Sequence, residues 1–106
     1  MSNSNSLCEK IKDLIDIDLR LNIKELAATL NYHPFYLGEV FKKNEGCTLH
    51  KYLIQERLKK ANELICTTQI PLDEIAFMCG FSSHAHFSVS FKKAYHVTPG
   101  HLRRHI

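Results

Sequence analysis

Two lysine pairs, Lys42-Lys43 and Lys92-Lys93, are the side chains whose type and placement best suit chemistry, and each pair directly follows a phenylalanine, Phe41 or Phe91. An ammonium group is a compact point charge that meets phosphate oxygens well. Ser83 and Thr98 suit the same partner, because each stands where a helix is expected to start and backbone N–H groups converge. Other reactive groups are less well arranged. Seven histidines raise the question of metal chelation. His84 and His86 are two apart, which splays them on a helix. His101 and His105 are four apart and can share a face, but neither pair has an acidic or cysteine partner adjacent in sequence. The cysteines (Cys8, Cys47, Cys66 and Cys79) form no C-x-x-C pair, and Cys66 and Cys79 stand among apolar residues, where they are expected to pack as small hydrophobes. There is no Gly-rich phosphate loop, nucleophile elbow or H-E-x-x-H motif. No metal, no cofactor and no enzymatic activity are expected.

Charge is unevenly placed. The net charge is only +3 over 106 residues, yet no acid follows Glu74, while Lys92, Lys93, Arg103 and Arg104 do. An acid-free basic end suits a polyanion; it also suits a merely solvated face. With 44% apolar and 24% charged residues, the chain can build a core and is not expected to be disordered. No apolar run is long enough for a signal peptide or membrane span, so a reduced, cytoplasmic setting is expected.

The elements that must carry these residues are helical. Leu7, Ile11, Leu14 and Ile15 recur at helical spacing and predict a first helix over about 6–17, after a polar, frayed stretch at 1–6. Asn22 stands three residues before Glu25, a capping box, and opens a second helix with Ile23, Leu26, Ala27 and Leu30 inward. Asn31 tolerates a left-handed turn, and Pro34 suits the first turn of a third helix that buries Leu37, Val40 and Phe41. Thr48 caps a long helix to about residue 67. Two shorter helices follow, one from near Pro71 and one capped by Ser82 or Ser83, and Thr98-Pro99 opens a last one.

The chain repeats itself. Ile23-Lys24-Glu25-Leu26-Ala27 matches Leu72-Asp73-Glu74-Ile75-Ala76, Phe41-Lys42-Lys43 matches Phe91-Lys92-Lys93, and Cys47-Thr48 matches Val97-Thr98, at an offset of 49 residues before the turn and 50 after it. Each copy reads as a short helix, a tight turn and a second helix, with the alanine at the crossing. The fold expected is all-α: seven helices in two homeodomain-like helix-turn-helix subdomains, at 7–46 and 69–106, joined by a linker helix within 47–68. Such pairs place the second helix in a major groove. A helical protein-interaction module without DNA specificity is the alternative reading.

These residues resemble the DNA-binding domain of the AraC/XylS family of bacterial transcription regulators. The resemblance runs through Leu26-Ala27, Tyr36-Leu37-x-x-x-Phe41-Lys42-Lys43 and Tyr52-Leu53-x-x-x-Arg57-Leu58-x-x-Ala61. It is most specific in Ile75-Ala76-x-x-x-Gly80-Phe81-Ser82-Ser83, Phe87-x-x-x-Phe91-Lys92-Lys93 and Val97-Thr98-Pro99. It covers roughly 7–104. Asn31 stands where glycine is common, and His33 where a serine cap is usual. The resemblance implies two recognition helices, double-stranded DNA as partner, activation or repression of transcription with RNA polymerase as partner of an activator, and a separate effector-sensing or dimerising domain in a longer regulator.

If Leu37, Val40 and Phe41 face inward, then Phe35, Gly38, Glu39 and Lys42 line the opposite stripe; in the second copy the stripe is Ala85, Ser88, Val89 and Lys92, with Tyr36 and His84 at the flanks. Base reading is expected from Phe35, Tyr36, Gly38, Glu39, His84, Ala85, Ser88 and Val89. Phosphate contact is expected from Lys42, Lys43, Ser83, Lys92, Lys93 and Thr98. A linker of about 20 residues spans about 30 Å, less than the ~34 Å between groove faces, so a DNA bend or unequal contact is expected.

Overall fold

A computed structural model describes residues 3–106 of the chain, with side chains from Ser6 onward. The elements are α1 (Asn3–Ile17), α2 (Ile23–Leu30), α3 (Pro34–Glu45), α4 (Leu49–Thr67), α5 (Leu72–Met78), α6 (His84–Tyr95) and α7 (Pro99–Arg104), with no strand among the described residues. The all-α, seven-helix expectation holds.

Helix starts follow the cap chemistry. The Asn22 side chain accepts from the Glu25 N–H at 2.8 Å, and Glu25 accepts from the Asn22 N–H at 2.9 Å, which satisfies two otherwise orphaned donors at the start of α2. Thr48 Oγ1 takes the Lys51 N–H, Ser83 Oγ the His86 N–H and Thr98 Oγ1 the His101 N–H, at 3.0–3.1 Å. Ser83, not Ser82, therefore caps α6. Proline opens α3 and α7, where its missing N–H costs nothing. α1 departs from expectation. Helical backbone reaches Asn3, about one turn before the expected start near residue 6, since no proline or glycine interrupts that stretch. The frayed start foreseen at residues 1 and 2 lies outside the described residues.

The chain divides into two compact units, Met1–Leu53 and Ile54–Ile106, with the boundary inside α4. In the first, Leu7, Cys8, Ile11 and Ile15 of α1 pack with Leu26 and Ala27, with Leu37, Val40 and Phe41, and with Leu49 and Leu53 at the start of α4. In the second, Leu58, Ala61 and Ile65 of α4 pack with Ile75, Ala76, Cys79, Phe81, Phe87 and Phe91. α4 thus closes one core with its first five residues and founds the other with the rest. Ala27 and Ala76 are both buried where a larger side chain would hold the helices apart.

Polar contacts finish each unit. Lys12 of α1 reaches Glu45 of α3 at 2.6 Å, and this hydrogen bond to a carboxylate pushes the Lys12 ammonium above its ordinary range. In the second unit the Arg103 guanidinium of α7 donates to the carbonyls of Leu64, Ile65, Thr68 and Ile70, which terminates α4 from across the unit. Cys66 corrects the sequence reading. Cys79 is buried in the core as expected, but Cys66 points outward and is exposed, because the inward positions of that turn are filled by Ile65 and Leu64.

Candidate nucleic-acid interface

The two turns that aim the second helices share one backbone device. The N–H of Tyr32 donates to the Ala27 carbonyl at 2.9 Å, and the N–H of Phe81 donates to the Ala76 carbonyl at 3.0 Å. Such a bond spans five residues and needs a left-handed residue before its donor. Asn31 (φ 63) supplies it in one unit and Gly80 (φ 91) in the other. The extra residue of the second turn follows this device: His33 caps α3 directly after Tyr32, whereas Ser82 intervenes before the Ser83 cap. The far ends also match. Gly46 and His96, both left-handed, donate to the carbonyls of Lys42 and Lys92.

α3 presents the expected residues outward. Phe35 is 72% and Tyr36 49% exposed, Glu39 is exposed and Gly38 half-buried. Tyr36 stacks on Tyr32 with ring centroids 5.4 Å apart, so its ring is held rather than free. Tyr36, Glu39, Lys42 and Lys43 line one shallow depression. A Cβ at Gly38 would meet nothing within 4 Å, so glycine is not demanded there by packing inside the unit.

α6 behaves alike with different chemistry. Val89 is 68% exposed, His84 and Ala85 are exposed, and Ser88 is half-buried. Lys92 and Thr98 line a second depression with His96, Val97 and His101. Lys42, Lys43, Lys92 and Lys93 are all exposed, and among the described residues none of them forms an ion pair. Cations held on a surface without an acidic partner suit an anionic ligand. Ser83 and Thr98 spend a lone pair on capping and keep their O–H to donate.

Sequence reasoning missed three features. Arg103 belonged to the basic tail by sequence, yet it holds backbone carbonyls. Arg57 is 8% exposed, the one charged side chain buried among the described residues. His84 does not stand alone: its Nδ1 lies 2.7 Å from an Asp73 carboxylate oxygen. No local spacing rule reaches across the turn between Asp73 and His84, so only the packing of α5 on α6 reveals that pair.

A family model described as a helix-turn-helix domain matches residues 26–105. An AraC-type DNA-binding domain protein from Chromobacterium violaceum superposes with TM-score 0.81 at 26% identity, over 96% of this chain and 93% of that one. The probable transcription factor PqrA of Proteus vulgaris is 35% identical over 83 residues, which are 78% of this chain and 68% of PqrA. The chain belongs to the AraC/XylS family. The C-terminal domain of the two-component response regulator yesN from Fusobacterium nucleatum is also similar, with TM-score 0.81 and 35% identity over 96% of this AraC/XylS-family chain and 99% of that domain. The matching residues make up 32% of the probable transcriptional regulator LumQ of Photobacterium leiognathi, so this chain spans about a third of that relative's length. No helix among the described residues is long and apolar enough to cross a membrane.

Proposed function

We propose that this AraC/XylS-family domain binds double-stranded DNA sequence-specifically to control transcription, each unit placing its second helix in one of two adjacent major-groove segments. The observation that carries the reading is the repeated construction. Two helix-turn-helix pairs are set by the same carbonyl-capped turn, and each second helix carries in its last turns an exposed lysine pair without an acidic partner among the described residues. In this reading Phe35, Tyr36, Gly38 and Glu39 of α3 and His84, Ala85, Ser88 and Val89 of α6 face base edges. The apolar members contact thymine methyl groups, and Glu39 accepts from a cytosine amine. Lys42, Lys43, Lys92 and Lys93, with Ser83 and Thr98, hold phosphates and fix register. The domain works by binding, without catalysis, and acts in the bacterial cytoplasm. Within a longer regulator it answers to an effector-sensing or dimerising region, and RNA polymerase is the partner if transcription is activated.

Selection of random duplexes by the purified domain, with affinity titrated against salt, tests this. An enriched motif covering two groove segments is expected, with affinity falling steeply as salt rises. Replacing Lys92 and Lys93 by alanine is expected to lower the slope of log affinity against log salt by about 1 per lysine, evenly across sequences. Absence of both enrichment and salt dependence would refute the reading and favour a protein-docking module.

A further inference from the structure

α6 opens with His84, whose Nδ1 lies 2.7 Å from Oδ1 of Asp73 on α5. The chemistry of this contact decides where the imidazole proton sits. An ionised carboxylate has lone pairs and no proton, so it only accepts. A hydrogen on Nδ1 makes this approach attractive, whereas two bare lone pairs facing each other at 2.7 Å would repel. In a neutral imidazole the other nitrogen, Nε2, is then a bare acceptor. The ring is also placed against the Phe87 ring, edge to face at 6.2 Å between centroids, which defines its plane. Phe87 is fully buried, which anchors that contact in the core of the unit.

On a recognition helix this matters, because the major groove displays donors and acceptors that differ between bases. Adenine N6 and cytosine N4 donate, whereas guanine O6 and N7 and thymine O4 accept. A histidine free to choose its tautomer serves either class. A histidine with Nδ1–H committed to a carboxylate serves only the first while neutral. From this geometry, and resting on the DNA-binding reading above, we infer that Asp73 is a positioning residue for specificity: it turns His84 into a hydrogen-bond acceptor that selects a base bearing an exocyclic amine, adenine or cytosine, at one position of the site. The first unit has no counterpart, since Pro34 occupies the position 50 residues before His84 and Lys24 the position 49 before Asp73. The device is confined to the second unit.

Nitrogen-15 NMR of the imidazole rings of the free domain at pH 8, above the ordinary histidine range, reads the tautomer without DNA. Wild-type His84 is expected as the Nδ1–H form, Asp73→Ala as mainly Nε2–H, and Asp73→Asn, which keeps an acceptor oxygen, as Nδ1–H again. Random-duplex selection at the same pH then reads the consequence. The wild type is expected to prefer adenine or cytosine over guanine or thymine at one position by about 2- to 10-fold, the worth of one neutral hydrogen bond. His84→Ala and Asp73→Ala should lose that preference at the same position and keep the rest of the motif, and Asp73→Asn should restore it. A wild-type Nε2–H form, or an unchanged preference in Asp73→Ala, would overturn the inference. Enrichment of no duplex by the wild type, with the tautomer as expected, would overturn the DNA reading and the base contact together, yet leave the Asp73–His84 pairing in place.

Discussion

The two units share a backbone frame and part of a core, and differ in how that frame is finished and in what it displays. Ile15 and Ile65, Ala27 and Ala76, and Phe41 and Phe91 occupy matching buried positions. Matching threonines, Thr48 and Thr98, cap the helices that follow. The divergence lies in how each unit finishes its first helix and in what its second helix displays. α1 is terminated locally, by an Asp18 turn in which the Arg20 N–H and side chain both donate to the Asp18 carboxylate. α4 is terminated from a distance, by Arg103 standing where the first unit has Leu53. α3 shows aromatic rings and an acid, whereas α6 shows a histidine paired with an acid and small or branched apolar groups. Turns built on one backbone device, with unlike faces beyond them, teach that the helix-turn-helix frame is the shared part and the outward stripe the adjustable one.

Arg103 offers the largest way to break the symmetry. Its guanidinium serves four carbonyls of the α4 end and the connector after it, three of them at 3.2–3.5 Å. Hydrogen bonds from a charged donor contribute ~1.5–3 kcal/mol each but are not additive when shared by one group. Arg103→Ala is expected to cost about 3 kcal/mol in urea unfolding. Amide exchange should accelerate through Leu64–Ile70 and stay unchanged in α1–α3. Arg103→Lys should recover only part, because an ammonium cannot fork across four acceptors. Equal loss of protection in both units would show that the residue supports the chain as a whole.

The buried thiols give the next largest effect. Burial pushes Cys79 up from its ordinary 9.0 to about 11, and burial, with Glu45 nearby, raises Cys8 as well. The folded state therefore holds the Cys79 proton after the unfolded chain has lost it. Stability from this source is complete below pH 9 and lost as pH rises through about 11. A rise of that size corresponds to about 2 to 3 kcal/mol. Unfolding curves between pH 8 and 11 should fall more steeply for the wild type than for Cys79→Ala, whose cavity cost is constant with pH. Parallel curves would mean that the thiol is not held neutral. Cys66, being exposed, should react with a thiol reagent in the native state while Cys8 and Cys79 do not.

Much of this architecture was legible in the residues because it rests on local rules. The capping box at Asn22, the proline starts of α3 and α7 and the apolar stripe of α6 depend on neighbours within one or two turns, so spacing alone reveals them. The outward placement of Phe35 and Val89 followed from knowing which residues point in. What stayed hidden depends on contacts between residues far apart in the chain. Arg103 lies 33 to 39 residues from the carbonyls it holds, and nothing in a basic C-terminal run separates a structural arginine from one left for phosphate. Lys12 and Glu45 meet only because α1 packs on α3. Cys66 failed for another reason: one position on a nineteen-residue helix is a rotation of about 100°, and an apolar neighbourhood in sequence does not say which side of the stripe a residue falls on.

The smallest predicted effect tests whether the two turns are equivalent in energy as well as in shape. Asn31 and Gly80 both sit at positive φ before the donor to an alanine carbonyl. A Cβ in that region costs roughly 1–2 kcal/mol, and asparagine tolerates it better than other non-glycine residues. Gly80→Ala should therefore destabilise by about 1–2 kcal/mol, and Gly80→Asn by less. Asn31→Gly removes the steric cost but frees the unfolded chain, and these terms oppose each other, so its net change should stay within about 1 kcal/mol. Asn31→Ala should resemble Gly80→Ala if the turns are interchangeable. A much larger cost at position 80 would mean that the second turn, with its extra Ser82, is the more tightly held of the two and the better fixed platform for a recognition helix.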